Sequence, residues 1–274
     1  MKFSPATKLT AVIGNPVTHS LSPLIHNAVY EEENIDAVLL AFGHPSVENL
    51  VGAIRTLPIH LAAVTMPHKQ TIMPLLDAID PVAEKIGAVN TVINREGKLE
   101  GFNTDVFGVA ASLKETSLKG KNVLLIGAGG VAQPIAYHLS SEGASIFCMN
   151  RIRADAQKLC DKFGGTVIES DGLKNVPFDV IVNATPVGME PNVDATPIGK
   201  EHISSGATVF DVIYAPLETR LMKEARERGA RVVSGLTMFI SQALEQERLW
   251  LGKDIPDNGY TKQIMYELEQ RAHA

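Results

Sequence analysis

Short β-rich apolar runs alternate with longer amphipathic stretches in the first 65 residues. Residues 9–13, 37–42 and 61–65 have the composition of strands, whereas residues 22–32 and 47–56 carry apolar side chains at helical spacing. Strands that alternate with helices predict βαβ units that form a largely parallel sheet. An α/β domain is therefore expected at this end of the chain.

A second series of the same kind follows a polar, hinge-like stretch at residues 118–121. It predicts an independent nucleotide-binding sheet with helices at 130–142 and 154–163 and strands at 123–126, 145–149, 180–183, 209–212 and 231–234. The tail from about residue 238 is helical in pattern, apart from a break at 252–259. Such a tail needs a neighbouring surface, and we expect it to pack back on the first domain.

Composition narrows the class of protein. The chain has 274 residues, of which 45% are hydrophobic and 20% are charged, so two compact domains are expected and disorder is excluded. The formal net charge of −6 provides no basic stripe for nucleic acid. We therefore expect a small-molecule partner and no nucleic acid.

Neither the cysteines nor the first residues add a further class. Cys148 and Cys160 lack the spacing and the flanking histidines of a zinc site, so they are expected to be buried free thiols and no metal is predicted. The first apolar run stops at Gly14, far short of a signal-peptide core or the roughly 20 residues of a membrane span. A cytoplasmic protein with no membrane partner is the default expectation. The sequence leaves the oligomeric state open, with a homodimer as one expectation.

A glycine-rich loop follows the first strand of the second series. Residues 123–132 read VLLIGAGGVA, an apolar strand that runs into G-x-G-x-x-A and then a helix. Gly127 permits the tight turn, and Gly129 lets the backbone approach a pyrophosphate at the helix N-terminus. A plain tight strand–helix connection is the alternative, but the strand and helix on either side favour a dinucleotide site.

The end of the next strand indicates which dinucleotide is preferred. A carboxylate there would bind the ribose 2′-hydroxyl and repel a 2′-phosphate, yet this strand ends in Asn150-Arg151, with Arg153 close behind. Amide and guanidinium donors favour NADP over NAD, although Asp155 opposes this preference. The alternative is that these arginines only form a solvated helix start.

Three polar clusters lie where strands of the first domain end, which is where open α/β sheets present ligand groups. Ser20 and Ser22 could donate together to a carboxylate, although Ser22, before Pro23, could simply cap the next helix. The second cluster places Lys69 just past a strand. The third contains residues 103–105, Asn-Thr-Asp, each of which could also be a helix N-cap.

The combination of a lysine and an aspartate carries a chemical rationale. Oxidation of an alcohol by hydride transfer needs a group that takes the hydroxyl proton, which contributes roughly 10²–10⁴ in rate. A carboxylate such as Asp105 can orient the ammonium of Lys69, and the pair can shuttle that proton. We therefore expect these two side chains to meet.

In these clusters the chain resembles the shikimate dehydrogenase family over essentially its whole length. The family's motifs are similar to the segments GNP at 14–16, HSLSP at 19–23, VTMPHK at 64–69, GAVNT at 87–91 and NTD at 103–105. Later signatures are similar to NATPVGM at 183–189, DVIY at 211–214, and GLTM at 235–238 followed by Gln242.

The resemblance implies oxidation of the 3-hydroxyl of shikimate by NADP to 3-dehydroshikimate, with the reverse reaction used in making aromatic amino acids. It implies that Lys69 is the acid/base and Asp105 its partner. The substrate carboxylate would be held by Ser20, Ser22, Thr65 and Tyr214, and ring hydroxyls by Asn90, Asp105 and Gln242. The cofactor would be bound by Gly127, Ala128, Gly129, Gly130, Val131, Asn150, Arg151, Arg153, Val212, Gly235 and Met238.

The resemblance also implies a division of the chain. Residues 1–104 and 237–274 would form the substrate-binding and catalytic domain, and residues 105–236 the Rossmann domain that binds NADP. Catalysis would take place in the cleft between them, and closure would exclude water.

Four positions depart from the family's usual residues, namely Ala63, Ile152, Asp155 and Thr237. One rival interpretation is a paralogue that acts on quinate or a related cyclohexane carboxylate, with NAD as one of its two candidate cofactors; the Ser20–Ser22 pair argues against it. The other rival is a non-catalytic NADP-binding sensor, which would not need both Lys69 and Asp105.

Overall fold

A computed structural model describes residues 3–272, and the chain folds into two compact units. Of the described residues, the first unit contains 3–105 and 240–264, and the second contains 106–239 and 265–272. These limits differ from the predicted boundaries at 104 and 237 by one and three residues, and the segment from residue 265 belongs to the second unit rather than to the first.

The first unit is built on a six-stranded sheet. Its strands are β1 (Lys8–Gly14), β2 (Ala37–Gly43), β3 (Ile59–Val64), β4 (Ala78–Ile79), β5 (Thr91–Arg95) and β6 (Lys98–Phe102). Its helices are α1 (Ser22–Glu32), α2 (Val47–Thr56), α3 (His68–Thr71) and α4 (Pro81–Ile86), with a 3₁₀ turn at Met73–Leu75. The strand order is β2-β1-β3-β5-β6-β4.

The prediction of a largely parallel sheet misses one hairpin in this unit. Strand β5 runs antiparallel to both β3 and β6. The two-residue loop between β5 and β6 is Glu96-Gly97, and both residues have positive φ, as a tight hairpin turn requires. The hairpin places the residues before β5 and after β6 at the same end of the sheet.

The second unit contains the predicted nucleotide-binding sheet. Its strands are β7 (Asn122–Ile126), β8 (Ser145–Met149), β9 (Thr166–Val167), β10 (Val180–Asn183), β11 (Thr208–Asp211) and β12 (Arg231–Ser234). All of them are parallel, in the order β12-β11-β10-β7-β8-β9. Counted from β7, this is the 3-2-1-4-5-6 order of dinucleotide-binding sheets read from the other edge, with its reversal point between β7 and β10.

Helices surround this second sheet and continue into the tail. They are α5 (Asp105–Leu113), α6 (Ala132–Ser141), α7 (Arg153–Phe163), α8 (Arg220–Glu227), α9 (Gly235–Leu251) and α10 (Tyr260–Ala272), with 3₁₀ turns at Ser170–Asn175 and Lys200–His202. Apolar side chains of β7 point alternately into two clusters, with Val123 and Leu125 in one and Leu124 and Ile126 in the other. The sheet is therefore buried on both faces, as parallel sheets are.

The tail consists of the two predicted helices, separated near residues 252–259. Most of α9 belongs to the first unit, where buried side chains of the helix bond to α1 and to the start of β5. Among the described residues, no helix is long and apolar enough to cross a membrane.

Candidate active site

Lys69 and Asp105 meet in the first unit, although 36 positions separate them in the chain. Lys69 lies in α3, just after β3, and its Nζ donates to Oδ2 of Asp105 at 2.6 Å. Asp105 is the first residue of α5, just after β6. The side chains are 17% and 8% exposed, so the ion pair is partly shielded from water but still reachable.

Asn90 holds the other oxygen of this carboxylate. Its Nδ2 donates to Oδ1 of Asp105 at 2.9 Å, and its Oδ1 accepts the backbone N–H of Thr104 at 2.7 Å and the hydroxyl of Thr91 at 2.8 Å. A backbone N–H can only donate, so the amide orientation of Asn90 is fixed. Asp105 therefore has one oxygen on a neutral amide and the other on Lys69.

Gln242 joins the same group from α9. Its Oε1 lies 3.3 Å from Nδ2 of Asn90. Of the predicted substrate-binding residues, the structure thus brings Asn90, Asp105 and Gln242 into one hydrogen-bonded group, in which Asp105 holds Lys69.

The three polar residues at 103–105 do not serve mainly as helix caps. Nδ2 of Asn103 donates to the carbonyl of Ala88 at 2.9 Å, and the Thr104 hydroxyl accepts from Asn90 Nδ2 at 3.0 Å. Both side chains tie the start of α5 to the segment before β5, which explains how Asp105 reaches its position.

Ser20 and Thr65 lie on the loops that leave the adjacent parallel strands β1 and β3, and Ser22 is the first residue of α1, which follows the β1 loop. The capping alternative for Ser22 is wrong, because α1 begins at Ser22 with Leu21 at its N-cap and no side chain caps it. Instead, Oγ of Ser20 accepts the backbone N–H of Ser22 at 3.2 Å. A Cβ added at Gly14 would collide with Thr65, so the glycine allows these two loops to approach.

Tyr214 lies in the second unit, after β11. Its ring packs on Phe239 with centroids 4.8 Å apart, and burial raises the pKa of its hydroxyl. Its predicted contact with the substrate carboxylate stays a prediction.

The glycine loop of the second unit lies between β7 and α6. Gly127 has φ +109°, and a Cβ there would lie 2.7 Å from the carbonyl oxygen of Ala184, so glycine is required. A Cβ at Gly129 or Gly130 would meet no atom within 4 Å. The helix begins at Ala132 rather than at the predicted residue 130, with Val131 at its N-cap. The open backbone before a helix N-terminus fits a pyrophosphate.

The predicted phosphate-binding segment after β8 is exposed, but its two arginines differ. Arg151 has an exposed side chain, whereas Nη1 of Arg153 pairs with Oε1 of Glu169 at 2.6 Å. Asn150 Nδ2 donates to the carbonyl of Ile152 at 2.9 Å. The residues therefore fit a 2′-phosphate, with Arg151 as the cation that has no carboxylate partner among the described residues.

The residues predicted to lie along the nicotinamide also belong to the second unit. A Cβ at Gly235 would collide with the Val212 carbonyl, so the turn before α9 passes directly against the residue after β11. One at Gly108 would lie 2.5 Å from the Met238 carbonyl, so α5 and α9 approach closely there. Glycines thus permit two tight backbone contacts beside the ends of β11 and β12.

Two buried polar groups have no role in the sequence-based prediction. Asp211, at the end of β11, accepts from Thr219 at 2.7 Å, from Asn183 at 3.0 Å and from the backbone of Ile213 at 3.1 Å, while burial raises its pKa to about 6. In α9, Glu247 lies 2.5 Å from Nδ1 of His26, and both are fully buried. Polar residues at paired strand ends signal the first group, but no local pattern signals the second.

Both cysteines are buried free thiols, as predicted. Burial raises the pKa of the Cys148 thiol to about 12, so this side chain is no nucleophile near neutral pH. Among the side chains that the structure describes, no three of His, Cys, Asp or Glu are grouped to hold a metal ion.

The second unit has a sheet whose strand order reverses next to an open glycine loop, and the first unit has a shielded lysine–carboxylate pair. This combination is characteristic of dinucleotide-dependent oxidoreductases. Comparison with known proteins identifies the family. A family model described as the shikimate dehydrogenase substrate binding domain matches residues 12–92, and one described as shikimate / quinate 5-dehydrogenase matches residues 109–195. The NADP(+) shikimate dehydrogenase of Methanosphaera stadtmanae is 40% identical over an alignment of 278 positions. The alignment covers 96% of this chain and 98% of that protein.

Solved structures agree with this assignment. The crystal structure of shikimate dehydrogenase from Aquifex aeolicus has a TM-score of 0.89 and 37% identity, and the match covers 96% of this chain and 98% of that one. The Thermus thermophilus enzyme, solved in complex with NADP(H) and shikimate, has a TM-score of 0.86 and 34% identity, with coverage of 95% and 99%. The chain belongs to the shikimate dehydrogenase family, which confirms the predicted resemblance and the α/β fold class.

Proposed function

We propose that this protein catalyses the reversible oxidation of the 3-hydroxyl of shikimate to 3-dehydroshikimate, with NADP as the redox partner. The observation that carries the proposal is the 2.6 Å contact between Lys69 Nζ and Asp105 Oδ2, shielded from bulk water. A sensor without catalytic activity would not need this pair. NADP, when bound, supplies the acceptor for the hydride that leaves the substrate carbon.

The chain's own contribution is the movement of a proton. Oxidation of the alcohol removes a hydride from carbon and a proton from oxygen, and the proton needs an acceptor at the hydroxyl. Lys69 Nζ takes it in oxidation and returns it in reduction, while Asp105 Oδ2 keeps the amine directed and accepts one of its hydrogens. Asn90 keeps the carboxylate from rotating, because it donates to the other oxygen.

The substrate is held by neutral groups as well as by the pair. Hydroxyls of Ser20, Ser22 and Thr65, with Tyr214, bind its carboxylate, and Asn90, Asp105 and Gln242 bind ring hydroxyls. The adjacent loops that follow β1 and β3 support the first assignment, and the contacts around Asn90 support the second. The first unit, residues up to 105 together with 240–264, serves as the substrate domain in this proposal.

The cofactor is held by residues of the second unit, within 106–239. Residues 127–131 bind the pyrophosphate; Asn150 and Arg151, with Arg153, bind the 2′-phosphate; Val212, Gly235 and Met238 line the nicotinamide side. The open space around a Cβ at Gly129 supports the first assignment, and the exposed side chain of Arg151 supports the second.

The proposal extends to the biological setting of the reaction. We propose that the enzyme acts in the cytoplasm, in the reductive direction of aromatic amino acid biosynthesis. A homodimer is a further expectation, which sedimentation of the purified protein would test.

Steady-state kinetics with shikimate and quinate, each with NADP and with NAD, tests the proposal. We expect kcat/KM for shikimate with NADP to exceed the other three combinations by at least about tenfold, because NAD leaves Arg151 without a phosphate and quinate brings an additional hydroxyl that the site has to pair. Preference for quinate would favour the paralogue, and preference for NAD would show that Arg151 does not select the cofactor. Tight NADP binding without turnover of either substrate would indicate the sensor.

A further inference from the structure

Gln246 lies on α9 one helical turn after Gln242, on the same face of the helix. Its side chain is 1% exposed. Nε2 donates to the backbone carbonyl of Asn90 at 3.2 Å and to Oγ1 of Thr91 at 3.0 Å. Since a carbonyl only accepts, the side-chain amide must present its NH₂ group to Asn90 and Thr91.

That orientation determines the direction of the next hydrogen bond. The Thr91 hydroxyl accepts from Gln246 and is 2.8 Å from Oδ1 of Asn90, to which it donates its hydrogen. With its oxygen occupied by this hydroxyl and by the backbone N–H of Thr104, Asn90 directs its NH₂ towards Oδ1 of Asp105. Donation therefore runs in one direction, from Gln246 through Thr91 and Asn90 to the carboxylate that holds Lys69.

Gln246 also buries a polar atom without a hydrogen-bond partner, which a residue that served only packing would not need to do. No described protein group donates a hydrogen bond to its buried Oε1. An unpartnered buried oxygen is unfavourable, so an apolar side chain of similar length would be the simpler filling for this position. The described hydrogen bonds of Gln246 go to Asn90 and Thr91, so the role of its side chain is to hold these two residues in place.

From this chain of donors we infer that Gln246 is a positioning residue for proton transfer, acting through Thr91 and Asn90 on the Lys69–Asp105 pair. The inference rests on the proposed function of that pair. Gln246 itself touches neither Lys69 nor Asp105 in the described contacts. The backbone N–H of Thr104 fixes which end of the Asn90 amide donates. Gln246 instead holds the position of Asn90, through the Asn90 carbonyl and the Thr91 hydroxyl, and so affects how firmly Asp105 holds the ammonium.

The test compares Gln246→Met with Asn94→Leu. Asn94, on the same strand as Thr91, also donates two hydrogen bonds to backbone carbonyls, those of Ile54 and Ile59, but it has no contact with Asn90. We expect Gln246→Met to lower kcat about tenfold and to move the pH midpoint of kcat by about one unit, the effect of weakening one hydrogen bond to a charged group. KM for shikimate should change less than kcat.

Asn94→Leu should lower the thermal unfolding temperature to a similar degree and leave both kcat and its pH midpoint unchanged. Thr91→Val removes the next link and should reproduce the effect of Gln246→Met. Because both act on one path, the double variant should lose no more than about twofold beyond the larger single loss. Losses that multiply, or an unchanged pH midpoint in Gln246→Met, would overturn the inference.

A measurement without substrate separates this inference from the proposed function. The side-chain signal of Lys69, followed by NMR as a function of pH in the ligand-free protein, should change its titration midpoint in Gln246→Met and keep it in Asn94→Leu. If it does so while the wild-type protein fails to turn over shikimate, the positioning role stands and the proposed reaction is wrong. If it does not, Gln246 serves only packing.

Discussion

The lysine–carboxylate cluster of the first unit and the glycine loop of the second unit are built on opposite principles. Around Asp105, polar groups are buried and bonded to one another, and both carboxylate oxygens have a protein partner. At Gly129 and Gly130 the backbone is open, and Arg151 has an exposed side chain. The carboxylate of Asp105 has its hydrogen-bond partners within the protein, whereas the glycine loop and Arg151 are open to solvent.

The difference follows from what each group must do. Proton transfer depends on the placement of a few atoms within hydrogen-bond distance, so the protein fixes them in advance. A pyrophosphate brings its own charge and acceptor oxygens, so the loop must only leave room and present N–H groups. Substitutions should therefore damage chemistry in the first region and binding in the second.

The largest expected effect is that of Lys69→Ala. It removes the group that holds the proton, so kcat should fall by about 10²–10⁴ while KM for shikimate changes little. Steady-state kinetics at saturating NADP measures both. Lys85→Ala, an exposed lysine on α4, is the control and should behave as wild type. A kcat for Lys69→Ala near that of wild type would remove the proposed contrast between the regions.

Gly127→Ala and Gly129→Ala separate folding from binding within the loop. The first forces a side chain onto φ +109° and against Ala184, so it should lower the free energy of unfolding by about 3 kcal/mol. The second meets open space and should change stability by less than about 0.5 kcal/mol while weakening NADP binding about tenfold, through interference with the approach of the pyrophosphate. Chemical denaturation and calorimetric titration distinguish them. Unchanged NADP affinity in Gly129→Ala would contradict the assignment of the loop.

Asp211 sharpens the comparison between buried carboxylates. Asp105 faces an ammonium, whereas Asp211 is bonded to neutral donors, and burial raises its pKa from 3.8 to about 6. Because the pKa of Asp211 is higher in the folded protein than in the unfolded chain, protonation of Asp211 stabilises the fold. This contribution to the free energy of unfolding is fully present below about pH 4 and is lost as the pH rises through about 6. The loss is at most about 3 kcal/mol.

The measurement for Asp211 is the free energy of unfolding of wild type and Asp211→Asn between pH 4 and 7. We expect wild type to lose stability relative to the variant as pH rises through this range. A difference that does not change with pH would mean that Asp211 is ionised throughout.

The smallest effect concerns the choice of cofactor. Arg151→Ala should weaken NADP binding about tenfold or more and leave NAD binding nearly unchanged, because only NADP carries the 2′-phosphate. Arg153→Ala is a matched comparison, since its guanidinium already pairs with Glu169, and it should weaken NADP binding less. Equal losses for both dinucleotides would show that the phosphate is bound elsewhere.

Periodicity alone predicted most elements, with α1, α2, β8, β10 and β12 at the limits that the structure shows. It missed the β5–β6 hairpin, because Glu96-Gly97 is a weaker turn signal than Asn-Gly and the flanking residues carry the polar motifs. It also missed Gln246 and Glu247, since a polar residue on a helix reads as solvated until the helix is packed.

The sequence by itself determined the alternation of strands and helices, the glycine loop and, through its motifs, the residues to consider for catalysis. Only the tertiary structure decided that Lys69 contacts Asp105, that Asn90 donates to the carboxylate of Asp105 and that Arg153 forms an ion pair with Glu169. The physical reason is that propensity and periodicity act between near neighbours. A hydrogen bond across 36 or 156 positions depends instead on how separate elements pack, and on which end of an amide is left to donate.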